Sequence, residues 1–200
     1  MPFVLLIRGS IWLYESYHVY HWLAMLASFV VVFFVLLIYM VMLYDSLVGS
    51  GKVTRGGLKA KALLVLLIMG SFAGYALFNL SGNNAKTDEV RKEFTSLHPF
   101  MRLGVGTLLL VDQSLLITDM SRVSEDYKKM GLKSKKNSLH YEQADGYVHA
   151  MDLRVKGRSE WQNKVTQFYF WAMGFNTLRH GGTGDHLHIS LSTWDKPGAI

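Results

Sequence analysis

The sequence predicts an α+β fold behind a two-helix membrane hairpin, and three observations lead there. Two long uncharged apolar runs stand in the first 80 residues, the remainder mixes short helical and strand-like segments, and histidines and aspartates gather in two stretches of the last third. The first run, Trp22 to Tyr44 (WLAMLASFVVVFFVLLIYMVMLY), has 23 residues and no charge. About 20 apolar residues suffice to cross the hydrocarbon core as a helix. The second run, Ala62 to Leu80, spans 19 residues and carries Gly70, Ser71, Ala73 and Gly74, small residues of the kind that let two membrane helices approach closely. Residues 22–80 therefore read as a transmembrane hairpin with spans 22–44 and 62–80.

Ahead of the hairpin, residues 1–21 hold most of the aromatic cluster WLYESYHVYHW, which suits an interfacial segment at the bilayer surface. A cleaved signal peptide fits less well: the apolar run starts late, exceeds a signal core in length and lacks a small-residue cleavage site. The connecting loop 45–61 carries Lys52, Arg55, Lys59 and Lys61 against Asp45. Short basic loops stay in the cytoplasm, so the expectation is an inner (cytoplasmic) membrane protein with everything after residue 80 on the periplasmic or outer face. The lipid bilayer is then one partner. The lack of cysteine is compatible with export. A net charge of +6 spread over anchor and domain implies no nucleic acid. The basic run KKMGLKSKK at 128–136 reads as a solvated loop or a contact to an anionic polymer.

Residues 81–96 read as a polar tether whose later part opens a helix behind a Thr87 cap. Residues 97–200 are enough for one small core. Within them the patterns predict a helix at about 98–113 opened by Pro99, a strand in LLITDMS, a short helix in SEDYKKMG, a strand in GYVHAMDLRV, an amphipathic helix over 159–175 and a final strand in DHLHISLS. The aromatic set Phe168, Tyr169, Phe170, Trp171 and Phe175 is expected in the core of so small a domain.

The histidines and aspartates raise the question of chemistry. A catalytic zinc site takes three ligands from His, Asp or Glu and leaves one position for water, and His140, Asp152 and His188 offer such a set. In a strand, His186 and His188 point to one face and Leu187 to the other. An HxH strand alone is equally the mark of ordinary surface or core histidines.

The order of the segments ITDMSR (117–122), SLHY (138–141), AMDLR (150–154) and DHLHIS (185–190) resembles the zinc peptidases of the D-alanyl-D-alanine carboxypeptidase and L-alanyl-D-glutamate endopeptidase family, with its D-Ala-D-Ala dipeptidase and hedgehog-domain relatives. The resemblance covers roughly residues 97–192. It implies a small zinc-peptidase domain with a central antiparallel sheet, Zn²⁺ on His140, Asp152 and His188, Asp185 as the general base, Arg122 gripping a substrate carboxylate, and Ser138 near substrate or ligand. His186 and His180 are then candidates for an oxyanion-stabilising or ligand-orienting role, and Gly181, Gly182 and Gly184 make a loop at the cleft edge. Glu142 and His180 are the reserve candidates for the base. The implied substrates are peptidoglycan stem peptides with D-amino acids. Two alternatives stand beside it: a non-catalytic zinc-containing binding module, and a phage lysis protein joining a membrane-active hairpin to a wall peptidase.

One departure matters. The family motif S-x-H-x-x-G-x-A-x-D sets the aspartate closer to the first histidine, whereas here Asp152 lies twelve residues after His140 and Val148 stands at the glycine position. Asp145-Gly146 favours a tight turn, so the extra residues are expected to form a loop, with Asp145 and His149 as competing ligands.

Overall fold

The computed structural model describes residues 2–48, 55–123, 125–126, 131, 137–182, 184–194 and 199. Helix α1 (Pro2–Tyr17) turns through His18, which adopts a positive φ of 53°, into the long α2 (His21–Val48). Helix α3 (Arg55–Phe78) returns alongside it. Both α2, over His21–Leu43, and α3 are long and apolar enough to cross a membrane, and the rest of the chain covers few of their residues. Side chains such as Leu26, Ile38, Leu63 and Leu67 stand outward. The basic residues Arg55, Lys59 and Lys61 lie on the first turns of α3 instead of in a loop. A Cβ added at Gly70 or Gly74 would meet nothing within 4 Å, so neither forms the close helix contact that their spacing suggests. The close approach involves Ala76 instead, against Gly106 of α5 (Pro99–Leu109), where an added Cβ would come within 2.8 Å of the Ala76 Cβ.

Residues 81–96 are folded onto the domain and do not hang free. The amide of Asn84 donates to the carbonyls of Gln113 and Leu115, both at 2.9 Å, and the Lys86 N–H donates to the Ile117 carbonyl at 2.9 Å. A short helix α4 (Asp88–Lys92) starts where Thr87 Oγ1 accepts the Val90 N–H, as the capping pattern predicts. Arg102 Nη1 then donates to the Leu77 carbonyl at 2.8 Å, a cation at a helix C-terminus. The domain therefore sits directly on the open end of the hairpin. Helix α1 lies against α2 and reaches α5 and the later helix α6 (Glu160–Met173), burying Leu6, Ile7, Ile11 and Tyr14; it is part of the packed body.

Strands β1 (Ile117–Asp119), β2 (Ala150–Arg154), β3 (Asn176–His180) and β4 (His186–Ser190) form one antiparallel sheet in the order β1-β2-β4-β3. Met151, Leu153, Leu187 and Ile189 alternate onto a core shared with Phe100, Leu103 and Phe170. Helix α6 (Glu160–Met173) opens with a Ser159/Gln162 capping box, ends at Gly174 with φ 105° and packs near β3 and β4. Its inward positions are Asn163, Thr166, Phe170 and Met173. The helical period turns Phe168 and Trp171 outward, both 64 % exposed; of the expected aromatic core only Phe170 and Phe175 are fully buried, with Tyr169 partly so. The short helix expected at 124–131 and the basic run at 128–136 fall largely outside the described residues.

Candidate metal centre

The face of the sheet opposite the core carries the polar residues. Register pairs Asp119 with Asp152, Asp152 with His188, Arg154 with His186 and His180 with His186, so period-2 alternation puts all of them on that face. His140 approaches from the turn before the insertion. His140, Asp152 and His188, all buried, each offer one ligand atom to a common point. His188 Nδ1 stands 2.9 Å from Asp152 Oδ1 and 3.3 Å from His140 Nε2, and the His140 Nε2 to Asp152 Oδ1 separation is 3.4 Å. Bonds of about 2.0–2.1 Å in a tetrahedral site set ligand atoms about 3.3–3.4 Å apart, so the donor set and its spacing fit a metal such as zinc.

Protons are arranged accordingly. His140 Nδ1–H donates to the Met120 carbonyl at 2.6 Å, leaving the Nε2 lone pair to face the site, the usual orientation of a metal-bound imidazole. His188 turns Nδ1 to the site and leaves a buried Nε2 without a hydrogen-bond partner. Burial pushes the Asp152 carboxyl upward, but its contacts with His140 and His188 and the charge of Arg122 outweigh that and hold it far below the ordinary carboxylate range. These contacts favour the anionic form of Asp152.

Arg122 lies beside the trio, paired with two carboxylates. Its Nη2 donates to Asp152 Oδ2 at 2.5 Å and its Nε to Asp119 Oδ2 at 2.6 Å, so the guanidinium holds the second oxygen of Asp152. Ser138 Oγ accepts the His140 N–H at 3.3 Å, which makes it a turn residue that shapes the approach of His140. His186 donates Nδ1–H to the Gly184 carbonyl at 2.5 Å, holds Nε2 3.7 Å from Asp152 Oδ2 and is stacked on His180 at 4.9 Å between centroids. Its side chain is 29 % exposed, so a basic nitrogen stands at the rim of the trio.

Asp185 does not join them. Its carboxylate takes a bidentate pair from Arg179, at 3.2 and 3.0 Å, and Arg179 also holds Glu160 at the start of α6. Arg179 is in register with Leu187, on the core face, so Asp185 precedes β4 with strand alternation intact and looks away from the metal face. The bend needed to bring Asp185 and His188 together is absent.

The insertion folds as a tight turn: Gln143 N–H donates to the Tyr147 carbonyl at 2.8 Å, and Gly146 has φ 82°. It delivers Asp152 to β2 while Asp145 and His149 join a second group with His21 and His98, apart from the first. They do not compete for the first site. Strand β3 is the element that sequence reasoning missed; NTLRH lacks alternating apolar residues, although the GGTG that follows, ahead of the DHLHI strand, is a hairpin signal. No protein-family model, curated protein or solved structure matches this chain.

Proposed function

We propose that the protein is a membrane-anchored, zinc-dependent hydrolase that cuts peptide bonds beside D-amino acids in peptidoglycan stem peptides. The observation that carries the hydrolase reading is the His140, Asp152 and His188 trio, with its spacing and its oriented His140 tautomer. Bound there, Zn²⁺ supplies a water whose pKa falls toward 7 and a Lewis acid for the scissile carbonyl. The chain's own residues do the rest. Arg122 fixes the Asp152 carboxylate so that Oδ1 faces the histidines. His186, its Nδ1 proton held by Gly184, presents a lone pair at the rim and takes over the proton-accepting role expected of Asp185. The substrate class rests on the order of the four motif segments. The basic residues near the hairpin turn support a cytoplasmic turn and, with it, the proposed wall-side position of the domain.

A second reading, a non-catalytic metal-stabilised module, is favoured by one observation: the expected base, Asp185, is spent on Arg179. The two separate in one assay. The zinc-loaded full chain in detergent, incubated with muropeptide monomers and cross-linked dimers, releases D-alanine or cut dimers detectable by mass spectrometry, and H186A retains zinc while losing about 10²–10⁴-fold in turnover. Absence of product from folded, metal-loaded protein removes the hydrolase and leaves the module.

A further inference from the structure

Where the hairpin meets the domain, a second set of metal-binding side chains is buried. His21 opens α2, His98 is the N-cap residue of α5, and Asp145 lies in the inserted turn, and each offers a ligand atom to a shared point. Three separate elements of the chain thus contribute one group each. The Asp145 Oδ2 atom lies 3.6 Å from His98 Nε2 and 4.0 Å from His21 Nδ1. The first spacing is near the roughly 3.3–3.4 Å between ligand atoms of a tetrahedral zinc site, and the second is wider, so the His21 ring has to move in by a few tenths of an ångström on metal binding.

Neighbours complete it. His149 Nε2–H donates to Asp145 Oδ2 at 2.9 Å and the Tyr147 N–H donates to Oδ1 at 3.1 Å, the kind of support that orients a ligating carboxylate. Tyr147 also sets its ring edge-on to both His21 and His98, and the rings of Tyr14 and Phe100 close over His98.

The second, independent observation is what the cluster leaves unsatisfied. His98 is wholly buried, yet its Nε2, the atom turned to Asp145, has no hydrogen-bond partner; His21 Nε2 and His149 Nδ1 are buried and unpartnered as well. Buried polar atoms are rarely left so, and a site lined by three imidazoles and one carboxylate has the chemistry of a borderline transition metal. Burial holds His98 well below its ordinary pKa, which keeps the ring in the neutral form that ligates.

We infer that His21, His98 and Asp145 form a second divalent transition-metal site that fastens the first membrane helix to the domain. One bond must yield for it. His98 Nδ1 accepts the Phe100 N–H at a long 3.3 Å, and ligation through Nε2 requires the ring proton on Nδ1. A neutral cap bond is worth far less than a metal–imidazole bond, so the exchange favours the metal and carries its occupancy into the first turn of α5. The site is separate from the His140 trio, and its existence does not depend on whether that trio is catalytic.

The test counts zinc on the full chain purified in detergent, stripped and reloaded. Wild type holds two equivalents, H188A one, and H21A and D145N one each; H149A keeps two at saturation with second-site affinity down about 10–100-fold. A variant that still binds one equivalent reports its own folding through the intact trio. Cobalt(II) titration of the stripped proteins reads the same difference: tetrahedral absorption that saturates one equivalent higher in wild type than in D145N supports the site, and saturation at the same equivalence in both overturns it. Zinc content unchanged in both H21A and D145N also overturns it. Loss of an equivalent in D145N but not in H188A upholds this site and rejects the trio.

Discussion

His140 gives its Nδ1 proton to the Met120 carbonyl and its lone pair to the site, and most of the chemistry proposed here follows from such single-residue commitments. Arg122 is the sharpest case. If it clamps Asp152, R122A lowers zinc affinity at the trio by about 10–100-fold, the usual worth of an orienting partner, and calorimetry of the stripped protein reads that loss. If it binds a substrate carboxylate instead, KM rises with zinc affinity unmoved. Asp185 gives the complementary expectation: D185A keeps full zinc and stays within about threefold of wild-type turnover, whereas a true acid–base group costs about 10²–10⁴-fold. Residue type and spacing were enough to find the trio because strand alternation places Asp152 and His188 on one face without further information. They did not show that Asp185 is paired with Arg179, because Arg179 lies on a strand the sequence did not announce.

At the scale of elements, helices and strands with apolar period showed themselves, and those held by polar detail did not. Segment 81–96 looked like a tether since nothing in its polar residues says that Asn84 bonds the carbonyls of Gln113 and Leu115. Helix contacts were likewise misassigned to Gly70 and Gly74, whereas the close approach is at Gly106. G106V therefore wedges α5 from α3 and lowers the melting temperature in detergent, while G70V leaves it within error; overpacking of this kind costs about 1–3 kcal/mol. A polar pair gives the pH dependence. Arg158 Nη2 donates to Asp112 Oδ2 at 2.5 Å, and that bond holds the Asp112 carboxyl below its ordinary value. A folded-state value below the unfolded one contributes stability that is present above the unfolded pKa and lost as pH falls through the folded one. R158A should thus melt lower than wild type at pH 7, by about 1–2 kcal/mol of stability, with the gap narrowing below about pH 4. A gap that stays constant into acid contradicts this assignment.

The whole molecule is one packed body in which the anchor is also part of the domain's covering. Trp194 Nε1 donates to the Tyr14 carbonyl at 3.1 Å and stacks on its ring, and Gly174, at φ 105°, sits against Arg8 and Ile11 of α1, so a side chain there is strained and has to push the Arg8 guanidinium aside. Residues 86–200 alone lose the Tyr14 ring from Phe100 and the Ala76 contact from Gly106 of α5, so that fragment should aggregate or show no cooperative melting, while the full chain in detergent melts cooperatively. The two long apolar helices were legible from length and apolar content alone; their docking on the domain was not, because docking depends on close contacts between residues far apart in sequence. The measurement that bears most directly on the trio is the zinc content of the full chain beside that of H188A and D152N. Each variant should hold one equivalent fewer than wild type while keeping its fold. Equal zinc in all three proteins would mean that His140, Asp152 and His188 are a buried polar cluster and hold no metal.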